Sequence, residues 1–178
     1  MRYARQKNLP LPLVPWERGG IHSMPPGVTS SLPAPREALI GREGEVADIA
    51  TLLENPSVGL VTLTGPGGIG KTRLALAVAE AMQDRLADGA IFVDLSAVTQ
   101  SADAVPAIAQ ALGLREISGQ DQIQQIAGFL RSRKVLMVID NVEQIIDAAP
   151  QIAQIGRLSH ATILVTSRAA LRVAGERE

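Results

Sequence analysis

Between Glu43 and Leu53 the apolar residues Val46, Ile49, Ala50 and Leu53 recur three and four positions apart, the interval that lines one face of a helix, and Asn55-Pro56 ends the pattern. The period then changes. VGLVTLT, 58–64, is short and rich in β-branched residues, which predicts a strand ending at a cluster of glycines. Leu74, Ala77, Val78, Ala81 and Met82 restore helical spacing just beyond that cluster. A second strand reads at AIFVDLS, 90–96. A helix follows over 104–112, with Asp103 as its candidate N-cap, Pro106 in its first turn and Gly113 at its end. Ile123, Ile126, Ala127 and Leu130 mark another helix. KVLMVID, 134–140, is almost wholly apolar and predicts a strand covered on both faces. Val142, Ile145, Ile146 and Ala149 begin a helix that Pro150 kinks or splits, and ATILVTS, 161–167, is the last strand. Strands alternating with helices call for an α/β fold of three layers, a parallel sheet with helices on both sides.

The first 35 residues do not share this alternation. They hold prolines at 10, 12, 15, 25, 26, 33 and 35 out of 11 in the chain, and proline's fixed φ and missing donor favour extended geometry over a packed core. Residues 1–35 are therefore expected to be a disordered, Pro-rich segment, and 36–178 a folded domain. LPLPLVPW also suits an aromatic-lined groove, although a linker is the simpler reading, and Met24 is an alternative start.

At 178 residues and 46% hydrophobic, the chain is long enough for one sizeable core. Its 17 basic and 18 acidic side chains leave a net charge of -1, so no global field draws it to nucleic acid or to an anionic membrane. With no cysteine, disulfides, thiolate catalysis and Cys-based zinc sites are excluded together, and a cytoplasmic location is expected. No apolar run reaches the roughly 18 residues that a membrane span needs.

The chemistry gathers at GPGGIGKT, which follows the pattern G-x-x-x-x-G-K-[ST] between a predicted strand and a predicted helix. In this context the backbone of Gly65, Pro66, Gly67, Gly68, Ile69 and Gly70 can wrap phosphate, Lys71 can reach the β- and γ-phosphates, and the Thr72 hydroxyl can bind Mg²⁺. Arg73, next in the helix, joins the nucleotide-binding candidates. Asp140 ends a buried strand on the side where parallel sheets open their ligand crevice, which makes it the second candidate for Mg²⁺; a helix cap is the plainer alternative. Arg168 also stands at a strand end, where it either reaches the γ-phosphate or is simply solvated. Asn141 follows Asp140, at a position from which a side chain could orient or activate water. An amide orients water but takes no proton, so slow hydrolysis is expected, with Asn141→Glu raising it. Glu143 is the nearest substitute base, or else an ordinary acid at a helix start.

Four motifs in order, LIGRE (39–43), GPGGIGKT (65–72), VLMVIDNVE (135–143) and ILVTSR (163–168), carry a family resemblance over residues 33–178. The chain resembles the nucleotide-binding domain of STAND-class ATPases, related to AP-ATPase and NB-ARC domains, in the form found in bacterial LuxR-type and similar transcriptional regulators. The resemblance implies that Ile40, Gly41 and Arg42 lie against adenine and ribose. It also implies that ATP and ADP with Mg²⁺ are the cofactors, that ADP holds a closed state, and that exchange for ATP promotes self-association of the full-length protein. The family places a fifth strand beside VGLVTLT, and the chain is expected to lack it, leaving the sheet incomplete at its C-terminal end with an exposed apolar edge. No direct contact with nucleic acid or membrane is expected. A small-molecule or nucleotide kinase and a DNA-associated ATPase remain as alternatives, the first weakened by the absence of an Arg-rich lid and the second by the scarcity of aromatics.

Overall fold

The computed structural model describes residues 32–33, 39–115, 119–159 and 161–178; apart from Leu32 and Pro33, the Pro-rich segment lies outside them. Helix α1 (Glu43–Glu54) leads into β1 (Leu60–Leu63), and α2 (Lys71–Met82) into β2 (Ala90–Asp94). Helices α3 (Ala104–Ala111) and α4 (Gln122–Leu130) precede β3 (Leu136–Asp140). Helix α5 (Ala149–Ser159), β4 (Thr162–Thr166) and a short β5 (Glu176–Arg177) complete the chain. The strands form one sheet in the order β2-β3-β4-β1-β5, and every pairing is parallel.

Side chains alternate across this sheet, and each face has its own core. Val61, Leu136, Val138 and Leu164 pack with α1 and α2 on one face, whereas Leu60, Ile91, Met137, Ile139, Ile163 and Val165 pack with α3, α4 and α5 on the other. The three layers predicted from the alternation of periods are thus present. The uninterrupted apolar run of β3 is explained by its place: it lies between β2 and β4, and all five of its residues are buried.

The helices depart from expectation in three places. In α2 the buried positions are Leu74, Ala75, Val78, Ala79 and Met82, while Ala81 is exposed; alanines on neighbouring stripes leave the face ambiguous in sequence. Asp103 makes no capping bond, because a 3-10 turn, Ser101–Asp103, runs directly into α3 and the Ala104 N–H bonds Ser101 O. The segment after β3 is also 3-10, from Val142 to Ala148, with non-helical torsions at Ile145; Pro150 falls in the first turn of α5, where its missing N–H costs no helical bond. Among the described residues, no helix is long and apolar enough to cross a membrane.

The strand expected to be missing is present as a stub. Glu176 and Arg177 pair with Leu60 and Val61, so part of the β1 edge is covered. Its anchor is the Glu176 side chain, which accepts the Leu171 N–H at 2.8 Å and the Arg172 N–H at 2.7 Å. These bonds close a turn in which Arg172 takes a left-handed φ of 56°. Burial acts to raise the Glu176 carboxyl pKa, but the nearby Thr62 hydroxyl and the N–H groups of residues 171–173 outweigh it, and the net direction is downward. Thr62 lies close enough to favour the charge, although its buried hydroxyl makes no bond of ordinary geometry.

A carboxyl whose folded pKa lies below its unfolded value stabilises above the unfolded pKa and loses that contribution as pH falls through the folded one. Glu176→Gln should therefore lower stability at neutral pH by about 1 kcal/mol, and the variant should lose less than the parent on acidification. Denaturant unfolding of both proteins, at neutral pH and below the carboxylate range, measures this; parallel pH profiles would remove Glu176 as the anchor of β5.

Candidate nucleotide site

The site begins where β1 ends. The chain leaves the sheet after Leu63, turns through the glycine-rich loop and enters α2 at Lys71, with Gly68 at φ 84° and Gly70 at φ 87° in the left-handed region that residues with a Cβ rarely occupy. The loop curls around the lysine. Lys71 Nζ donates to Gly65 O at 2.7 Å and to Pro66 O at 3.0 Å, so the ammonium is held inside the curve of the backbone.

One residue further, the Thr72 hydroxyl donates to both oxygens of Asp140, at 2.8 and 3.0 Å. Strand β4 lies between β1 and β3, and its last residue completes the link: Thr166 donates its hydroxyl to Asp140 and accepts the Asn141 N–H at 3.2 Å. Asp140 is only 4% exposed, and these donors, together with Asn141 Nδ2 at 3.1 Å, offset the cost of a buried carboxylate.

Asn141 turns the chain out of β3 with a left-handed φ of 64°, a conformation asparagine tolerates better than most residues. Its amide also donates to Asp94 Oδ1 at 3.2 Å. Asp94 is paired in register with Asp140 at the same end of the sheet, and the sequence reading missed it. The rule that singled out Asp140, an acid at the carboxyl end of a strand, applies equally to the aspartate of AIFVDLS. Burial acts to raise the Asp94 pKa, but hydrogen bonds from the Ser96 backbone and hydroxyl and from the Asn141 amide bring it below the ordinary carboxylate value. An amide that bridges two carboxylates has a structural task. Asn141→Glu therefore sets a third negative charge against two, a cost the expectation of faster hydrolysis did not include.

Glu143 and Arg168 meet beside the loop. Arg168 Nε donates to Glu143 Oε1 at 3.2 Å, and Arg168 Nη2 lies 3.8 Å from where a Cβ on Gly67 would stand. A shallow cavity of about 470 Å³ opens there, lined by Glu143, Gln144, Ile146, Ser167, Arg168 and Ala169. A larger cavity, about 1330 Å³, lies at the opposite end of the sheet, and none of the candidate site residues lines it.

The LIGRE turn is brought to the site only in part. Arg42 Nη1 donates to Ile69 O of the loop at 3.1 Å, and Arg42 Nε pairs with Glu45. Gly41 N–H bonds Glu43 Oε1 at 3.1 Å, whereas Ile40 is 86% exposed and Arg73 lies exposed on the first turn of α2.

The model of the NB-ARC domain matches residues 42–177. The chain belongs to the NB-ARC family. A Mycobacterium tuberculosis protein named "Putative HTH-type transcriptional regulator" is 42% identical over 119 residues, which cover 66% of this chain and 13% of that protein. The regulatory protein AfsR of Streptomyces coelicolor is 30% identical over 141 residues, covering 68% of this chain and 14% of AfsR. This NB-ARC chain thus spans about an eighth of the length of the regulators it matches. Among solved structures, Drosophila ORC bound to DNA aligns over 74% of this chain and 38% of its own, with a TM-score of 0.58 and 17% identity. The ORC2 protein of Aeropyrum pernix covers 75% of this chain and 42% of its own, with a TM-score of 0.53 and 19% identity. At those identities the likeness shows the fold, that of P-loop ATPases.

The residues present fit a Mg-nucleotide. Adjacent oxygens around Mg²⁺, each about 2.0–2.1 Å from the metal, stand about 2.9 Å apart, close to the separation between the Thr72 hydroxyl and the Asp140 carboxylate. Among the described residues no group of three or more His, Cys, Asp or Glu could hold a metal by itself.

Asp140→Ala removes the acceptor of Thr72, Thr166 and Asn141 together, and should cost about 2–4 kcal/mol of stability even without nucleotide. Chemical denaturation of both proteins tests this, and a loss under about 1 kcal/mol would mean that these donors find other partners.

Proposed function

We propose that residues 36–178 form an ATP- and ADP-binding switch domain that uses Mg²⁺, hydrolyses ATP slowly, and acts in the cytoplasm as part of a STAND-class transcriptional regulator. The observation that carries this reading is the convergence of Lys71, Thr72 and Asp140 at the mouth of one glycine-rich loop. Lys71, already inside the curve of that loop, would pair with the β- and γ-phosphates, while the N–H groups of the loop and the first turn of α2 donate to phosphate oxygens. Thr72 and Asp140 would hold Mg²⁺, which when bound screens the phosphate charge and orients the terminal phosphoryl group. Arg42, bonded to the loop at Ile69, is the LIGRE residue best placed to follow the loop's conformation.

Slow hydrolysis follows from what stands beside Asp140. Asn141 has its amide on two carboxylates, and Glu143 has one oxygen on Arg168, so neither is set as a free base. A positioned general base contributes about 10²- to 10⁴-fold, and a site without one turns over at a rate that suits a switch dwelling in each state.

In calorimetric titration with Mg²⁺ present, the chain should bind both ADP and ATP, and Lys71→Ala should weaken both by at least about tenfold, the loss of roughly one charge-assisted bond. Equal affinities for parent and variant would remove Lys71 from the site. Steady-state hydrolysis should lie well below the roughly 10 s⁻¹ typical of enzymes, and turnover near that value would reject the switch reading.

A further inference from the structure

Arg168 stands between two claims on its charge. On one side is the phosphate loop, with the guanidinium above Gly67; on the other is Glu143, which holds Nε. The two partners are differently placed: the Arg168 side chain is 69% exposed, and that of Glu143 is 18% exposed. Glu143 Oε2 is buried and has no hydrogen-bond partner among the described residues, so the contact with Arg168 is the only bond through which this carboxylate is satisfied there. The pairing is thus worth more to Glu143 than to Arg168.

We infer that Glu143 is a specificity-determining residue which, by competing for Arg168, sets how far the domain favours a nucleoside triphosphate over a diphosphate. This rests on the proposed nucleotide reading and adds to it a residue that opposes capture of the triphosphate. On that reading the γ-phosphate, which a diphosphate lacks, is the group that would draw the guanidinium from Glu143, and doing so would leave an underhydrogen-bonded carboxylate behind. The diphosphate leaves the pair intact. Magnitude decides what kind of device this is: an ion pair with one highly exposed member is worth about 0.2–1 kcal/mol, so breaking it changes affinity by about 1.4- to fivefold. Glu143 therefore tunes the preference and does not lock the site.

The test is a double-mutant cycle on the full chain, titrated calorimetrically with Mg-ADP and with the Mg complex of a β,γ-imido analogue of ATP. Glu143→Gln should raise the ratio of triphosphate to diphosphate affinity by about 1.4- to fivefold, and Glu143→Asp, whose carboxylate is withdrawn by one methylene, should move it in the same direction by less. In an Arg168→Ala background the same substitution should leave the ratio unmoved. An unchanged ratio for Glu143→Gln in the parent chain, with Arg168 in place, overturns the inference. So does an equal gain with and without Arg168, since that would be plain repulsion between Glu143 and the γ-phosphate. A fall in the ratio would assign Glu143 to direct binding and also reject it. The outcome for Lys71→Ala separates the two levels: if that variant loses nucleotide and Glu143→Gln changes nothing, only the competition fails, whereas a parent chain that binds neither nucleotide refutes both.

Discussion

A carboxylate at the end of a buried strand has to be satisfied from within the protein, and in this chain the residues that satisfy Asp140 are also the ones that build the site. Its donors come from the start of α2, from the end of β4 and from the residue that follows it. Each donor fixes a different element relative to β3: Thr72 fixes the helix that carries the phosphate loop, Thr166 fixes the strand lying between β1 and β3, and Asn141 fixes the turn out of the sheet. A polar group desolvated at one point thereby constrains geometry over three strands, because every arrangement that leaves it short of donors is penalised by the free energy of an unpaired buried charge.

The loop makes a related compromise with its lysine. The Lys71 ammonium bonds the carbonyls of Gly65 and Pro66, which keeps a cation in place inside the curve of the backbone. These bonds organise the side chain before any phosphate arrives, and the ordering entropy of a long flexible chain is already spent. The left-handed glycines allow the backbone to close around it.

Arg168 belongs to a second, looser set of contacts at the same end of the sheet. It lies two residues beyond β4, and eight residues later Glu176 folds the chain back onto β1 by accepting N–H groups from Leu171 and Arg172. The arginine beside the loop is therefore flanked by one well-determined strand and one short turn held by a single carboxylate. The site thus grades from the buried Asp140 network to a pair in which Arg168 is exposed and Glu143 half-buried.

The sequence by itself determined the layers, the loop and most of the catalytic candidates, because all of these are written in local signals: helical and strand periods, glycines that permit left-handed torsions, and charged residues at the ends of apolar runs. Asp140 and Arg168 were singled out as candidates in that way, each as a charged residue at the end of an apolar run. The strand order β2-β3-β4-β1-β5 was decided by tertiary structure, as were the two residues of β5, too few to show any period. The same holds for Asn141 bridging Asp94 and Asp140, and for Glu143 pairing with Arg168, contacts that span 47 and 25 residues of sequence. Which polar groups meet at the end of a parallel sheet depends on register and on which strands become neighbours, and those are settled by how the two hydrophobic faces of the sheet are covered, a property of the whole chain that no local stretch contains.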